Sequence, residues 1–283
     1  METMNNYIQK LNQMFNAGTL KKSVGVFVLT ALTFIQSACD FSPKIHRDII
    51  RAQQALIQQD FQRAIAKYED ILLKSPDPEI KLKIYYQLGE IYSLNFGQYE
   101  KAIEYFKLAQ SVTDEPLWHV RSEQRIAEIS FNFLKNYDQS IKSYTYLASF
   151  TPRLSESDLY EYKIAQSHYL KRNYQRSLEL FYEIYANPQH SHYIQSMNQI
   201  ALIYFEQKEW EEAISYWNRY IRHERRQENI VQARFLMANS YERKEDLKSA
   251  YNMYYSILGE YPNIDVVQNR LNSIFNRRVA RKR

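Results

Sequence analysis

Six histidines, one cysteine and a few paired carboxylates are the residues of this chain best suited to chemistry. The histidines are His46, His119, His168, His190, His192 and His223. None stands in an HExxH pair of the kind that holds a catalytic zinc. With Cys39 the sole cysteine, neither a disulfide framework nor a multi-thiolate zinc site is possible within the chain. His190-Ser191-His192 is the one close pair; beside Pro188 it reads as a solvated turn, not a metal site. Glu211-Glu212 opens a helical run, where negative charge suits the helix dipole, so capping explains it more simply than acid–base work. Serine, histidine and aspartate occur, but no nucleophile-elbow motif orders them. Only 5 glycines occur in 283 residues, too few for the loops that bring backbone close to phosphates or dinucleotides. The expectation is a non-enzyme with no catalytic, cofactor or metal residues.

The elements behind these residues are helical. In Ile200–Trp217, IALIYFEQKEWEEAISYW, a small residue follows an apolar one, Ile200-Ala201, with Tyr204 three positions on. A polar turn leads to Trp210, Ala213 and Trp217. Both halves have the three-and-four spacing of a helix face, so the stretch predicts a helical hairpin. Copies recur as Leu88-Gly89 with Tyr92, Tyr99, Ala102 and Phe106, as Ile126-Ala127 with Tyr137, Ser140 and Tyr144, and as Ile164-Ala165 with Tyr174, Ser177 and Phe181. Another is Met237-Ala238 with Tyr241, Leu247, Ala250 and Tyr254, and an earlier one holds Ala52, Phe61, Ala64 and Tyr68. The small residue of each second helix falls at 64, 102, 140, 177, 213 and 250, in steps of 38, 38, 37, 36 and 37. This pattern resembles the tetratricopeptide repeat (TPR), a helix–turn–helix unit of about 34 residues. The resemblance covers nearly everything from residue 45 onward and implies an all-α superhelical solenoid of about six hairpins plus a C-terminal capping helix. The repeats are slightly long, and most lack the terminal proline.

The boundaries follow. Residues 1–38 read as a targeting segment: Lys21 and Lys22, the apolar stretch Val24–Ile35, then Ser37 and Ala38 before Cys39. The apolar stretch is too short for a membrane span of about 20 residues. This order resembles a bacterial lipoprotein signal, which implies acylation of Cys39, with Gln36 departing from the usual aliphatic residue. An uncleaved signal anchor or an ordinary secretory peptide is the alternative. The long lead before the lysines admits Met14 as a second candidate start. Residues 39–44 form a tether, 45–262 the repeat array and 263–283 a capping helix with a basic tail, Ile264, Val267, Leu271 and Ile274 lying on one helical face. Asp60, Asn136, Asn173 and Asp246 stand where a short side chain would accept from helix-start amides. The tail arginines read as solvated charge fraying at a terminus.

A net charge of +5 with both signs mixed describes a solvated surface, not a nucleic-acid footprint. What remains is protein binding. In TPR proteins the first helix of each repeat lines a concave groove. The resemblance carries that face onto Tyr86, Glu90, Gln124, Phe131, Tyr162, Gln166, Tyr169, Asn198, Leu202, Phe205, Phe235, Asn239 and Glu242. Rings interleaved with amides suit an extended or helical peptide, although a tyrosine stripe is also what a core looks like. Asn198 and Asn239 match a carboxylate-clamp pattern, but Tyr162 and Phe235 stand where its lysines belong. The expected function is a non-catalytic, lipid-anchored periplasmic adaptor that binds protein partners in a bacterial envelope complex. It would be held at a membrane through Cys39 (inner or outer not distinguished), without nucleic acid, small-molecule substrate or cofactor. The chain is similar in this to TPR envelope lipoproteins of the β-barrel assembly, pilotin and motility types. The alternative is a regulator or substrate receptor of a cell-wall enzyme.

Overall fold

The computed structural model describes residues 44–281, so Cys39, the apolar stretch Val24–Ile35 and the last two residues lie outside the described part. Among the described residues there are thirteen α-helices and no strand. They divide into two compact units, the first ending at Lys74 and the second running from Ser75.

In the first unit, α1 (Lys44–Ile57) and α2 (Phe61–Leu73) form one hairpin. Ala52, Ala55, Ala64, Ile65, Tyr68 and Ile71 are its buried residues. Lys74 Nζ reaches Asp48 Oδ2 at 2.7 Å and ties the end of the second helix to the first.

The second unit stacks five more hairpins: α3 (Pro78–Leu94) with α4 (Tyr99–Ser111), α5 (Pro116–Asn132) with α6 (Tyr137–Ala148), α7 (Ser157–Leu170) with α8 (Tyr174–Tyr185), α9 (Tyr193–Glu206) with α10 (Trp210–His223), and α11 (Gln227–Arg243) with α12 (Leu247–Ser256). A final helix, α13 (Ile264–Ala280), closes it. Within this unit each helix packs on the next in sequence, and α7 also touches α9. This is the contact pattern of a solenoid, in which each hairpin buries its apolar side against its neighbours.

The periodic small residues are what permit the crossings. Ala52, Ala127, Ala165, Ala201 and Ala238 of the first helices are 0% exposed, as are Ala64, Ala102, Ser140, Ser177, Ala213 and Ala250 of the second. Gly89 takes that place in α3, and a Cβ there would stand 2.7 Å from the Phe106 ring. Against these contacts pack the large side chains Phe106, Phe181, Trp217 and Tyr254, all fully buried. At α13, Val267, Leu271 and Ile274 complete the core with Leu247, Ala250, Tyr254 and Ile257. Ile264, expected on that buried face, is instead 48% exposed, because it opens the helix ahead of the turn that docks.

The hairpin turns repeat as strictly as the crossings. Gln59, Gly97, Lys135, Arg172, Lys208 and Glu245 all have φ between +53° and +65°, and the intervals are again 38, 38, 37, 36 and 37 residues. One left-handed residue per turn reverses the chain after each first helix, and only one of the six is glycine. Asp60, Asn136 and Asp246 accept from the amides of Arg63, Gln139 and Ser249 at 3.1 Å and cap their second helices. Asn173 departs from the expected pattern: it makes no side-chain cap bond, and its amide turns back toward His168 Nδ1.

Candidate functional site: the first-helix face

Within the second unit, the residues three before and one after each first-helix small residue are half-buried in every repeat: Tyr86 and Glu90, Gln124 and Glu128, Tyr162 and Gln166, Asn198 and Leu202, Phe235 and Asn239. They make one stripe, and hydrogen bonds at about the repeat spacing cross between its rungs. Arg125 Nε donates to Glu90 Oε1 at 2.7 Å, while its Nη1 donates to Glu128 Oε2 in its own helix. Gln124 Nε2 donates to Tyr160 Oη at 2.6 Å, and Gln199 Nε2 to Tyr162 Oη at 3.1 Å. At the end, Arg277 Nη1 donates to Glu242 Oε1 at 3.0 Å.

The rings of the stripe largely face one another. Tyr86 sets its edge against Phe106 and Trp118, with centroids 5.3 and 5.4 Å away. Tyr162 stacks on His192 at 4.5 Å and meets Phe181 edge-on, and burial pushes its hydroxyl pKa up. Tyr169 leans on Tyr174, Phe205 on Trp210 and Trp217, and Phe235 stacks on Tyr261 at 4.4 Å with Tyr254 beyond. Phe131, expected on the groove, is corrected by its burial. It is 8% exposed and packs into the core with Tyr137 and Tyr144. Aromatic side chains at this position reach across to the second helix of their own repeat.

Two further groups belong to this region, one that the sequence pattern did not single out and one that it placed in solvent. Lys163, beside Tyr162, holds its ammonium 4.1 Å above the Phe131 ring and donates to Gln166 Oε1 at 3.1 Å. No carboxylate faces it in any described ion pair, and burial lowers its pKa. The second group is His190, which is not solvated: its side chain is 3% exposed, with Nε2 3.3 Å from Glu161 Oε2 and Nδ1 3.9 Å from Asp158 Oδ2. The turn folds inward because Asp158 accepts the Ser191 amide at 2.7 Å, a tie 33 residues long that only the packed repeats create. Its partner His192 has a lowered pKa, chiefly from burial, then from the adjacent His190.

Residues 82–115, which take in most of α3 and all of α4, match the family described as tetratricopeptide repeat. The fold is that of a tetratricopeptide-repeat protein. Residues 199–264 match a family described as a domain of unknown function (DUF6340). Among solved structures, PilW, titled a widely conserved type IV pilus biogenesis factor, is 15% identical with a TM-score of 0.51. That alignment covers 82% of this chain and 98% of that one. A tetratricopeptide repeat protein from Parabacteroides merdae is 16% identical with a TM-score of 0.54, over 82% and 91% of the two chains. No curated protein matches by sequence.

In TPR terms, both asparagines of the clamp-like pattern have internal tasks. Asn198 Oδ1 accepts from Trp217 Nε1 at 2.9 Å, and Asn239 Nδ2 donates to the Phe235 carbonyl at 3.2 Å. The basic tail is also not loose through Arg281. Arg277 bridges Glu242 and Glu245, and Arg281 pairs with Glu245, which fastens α13 across the end of α11. No helix among the described residues is long and apolar enough to cross a membrane.

Proposed function

We propose that this TPR chain is a non-catalytic adaptor that grips protein segments along its first-helix stripe and is tethered by acylation at Cys39 to the periplasmic side of a bacterial membrane. One observation carries the binding half: the half-buried stripe recurs in every repeat of the second unit at the same place relative to the small residue. Internal hydrogen bonds hold its polar side chains in place, so little of their freedom is lost on binding. The middle rungs are the best suited to grip, since Gln166, Tyr169 and Leu202 combine an amide with apolar area and are half-buried without being core. A partner backbone could pair with Gln166 while its side chains lie against Tyr169 and Leu202. That PilW, a pilus biogenesis factor by its title, shares the fold supports an assembly role over a catalytic one.

The tether rests on the sequence around Cys39, and several buried acyl chains at about 0.8 kcal/mol per methylene would make it durable. Its test is labelled palmitate incorporation, expected in the wild type and lost in Cys39→Ser; retained label would refute it. For the stripe, Gln166→Arg combined with Leu202→Arg should release the partners captured from solubilised envelope while leaving the far-ultraviolet circular dichroism unchanged. Retention of every partner by the folded double variant would refute the stripe. Capture of one enzyme in place of several assembly proteins would turn the reading toward a regulator.

A further inference from the structure

Where the turn between α8 and α9 folds against the first turns of α7 lies a cluster that the binding stripe does not use. Asp158, Glu161 and His190 each offer one ligand atom, and these atoms lie within 4.8 Å of one another. Beside them is a cavity of about 140 Å³ lined by Glu161, Glu183, Asn187 and His190 over an apolar floor of Ile164, Leu180 and Ile184. His190 Nε2 is buried in its wall, 3.3 Å from Glu161 Oε2 but without hydrogen-bond alignment to it. A buried ring nitrogen so poorly aligned with its only polar neighbour is costly unless something occupies the position it faces.

We propose that Glu161 and His190 bind one divalent transition-metal ion of the zinc type, that Asp158 orients the imidazole, and that the exposed Glu183 of the same cavity lining swings in as a third ligand. Two ligands each about 2.0–2.1 Å from a tetrahedral zinc lie roughly 3.4 Å apart. The 3.3 Å between His190 Nε2 and Glu161 Oε2 matches that bite. An imidazole nitrogen selects for zinc, cobalt or nickel over calcium and magnesium. In the metal-free chain Nδ1 accepts the His192 amide at 3.0 Å, so the ring proton sits on Nε2. Metal binding takes the Nε2 lone pair. The proton leaves that atom and another is taken up at Nδ1, which must close on Asp158 Oδ2, an oxygen 3.9 Å away that already accepts the Ser191 amide and has a second lone pair to offer. The net proton count is unchanged, and the result is a carboxylate–histidine–metal relay. The displaced amide of His192, in a half-exposed turn, is left to water. Arg153 holds Glu161 Oε1 at 2.9 Å and Asp158 Oδ1 at 2.7 Å, which leaves Glu161 Oε2 to face the ring and Asp158 Oδ2 to be shared between the ring and the Ser191 amide. It thus aligns the carboxylates while its charge opposes the ion.

The test is titration of untagged protein with Co²⁺, read by visible d–d absorption, followed by Zn²⁺ displacement and calorimetry. One ion per chain is expected, lost in Glu161→Gln and His190→Gln and unchanged in the control His223→Gln. Asp158→Asn should weaken binding about tenfold or more, and Arg153→Gln should strengthen it. Should His190→Gln fail to fold, Glu161→Gln and Arg153→Gln decide the matter, since both leave the buried ring in place. Absence of stoichiometric binding, or binding equally tight in Glu161→Gln, would overturn the proposal.

Discussion

At the scale of single residues the molecule depends on what is small and what is left-handed. Gly89 takes the crossing position that is alanine in the other first helices, and the Phe106 ring has moved into the space a Cβ would need. Gly89→Ala should therefore cost about 1–3 kcal/mol through overpacking, read as a lower midpoint in urea. A null effect would mean that the ring swings aside freely. The turn residues behave in the opposite sense. Arg172 sits at φ 61°, a region that penalises any side chain with a Cβ. Arg172→Gly should raise stability by up to about 1 kcal/mol, less whatever the more flexible unfolded chain takes back. Lys208 at φ 65° should respond in the same way, whereas Gly97→Ala should destabilise. None of these left-handed positions is visible as a glycine signal except Gly97, so the turn chemistry was hidden from the sequence.

Among elements, capping and turn pairing set how firmly each helix begins and ends. Asp60→Ala, Asn136→Ala and Asp246→Ala each remove an acceptor from a helix-start amide and should cost roughly 1 kcal/mol. Asn173→Ala should cost less, because its side chain makes no such bond. A thermal melt series separates the two cases. At the α10–α11 turn, the Glu224 side chain is 7% exposed and held by Arg226, by the Arg225 and Arg226 amides, and by Asn229 and Tyr220. Chiefly the Arg226 guanidinium, with these donors, holds its carboxyl far below the usual range. A depressed folded pKa gives stability that is fully present above the ordinary carboxylate value and is lost as pH falls below it. Wild type should thus lose stability between about pH 5 and 2 more steeply than Glu224→Gln, as denaturant midpoints across that range would show.

For the whole molecule the question is how an end is closed and a face left open. The α13 cap combines an apolar seal with the Arg277–Glu242 and Arg277–Glu245 pairs, at 3.0 and 2.5 Å. Arg277→Ala should leave the array folded but speed hydrogen exchange in α13 selectively, an effect that salt reproduces in part in the wild type. Exchange that rises equally in α9 and α10 would show instead that the cap supports the entire stack. The first-helix face is where the two levels of description diverge most. Its position relative to the small residue was legible, yet side chains of one type have different fates along it. Phe131 is core while Tyr169 is half-buried, and Asn198 serves Trp217.

Local pattern determined the hairpins, their number and period, and the crossings, because small residues at helical spacing have one economical use: close helix contact. Tertiary structure alone decided which side chains along those helices meet. Glu90 finds Arg125 35 residues away, Asp158 draws in the Ser191 amide from 33, and His190 is buried by that same fold-back. Such contacts arise from the stacking of one repeat on the next, and a linear pattern specifies the stack without specifying which atoms it brings within 3 Å.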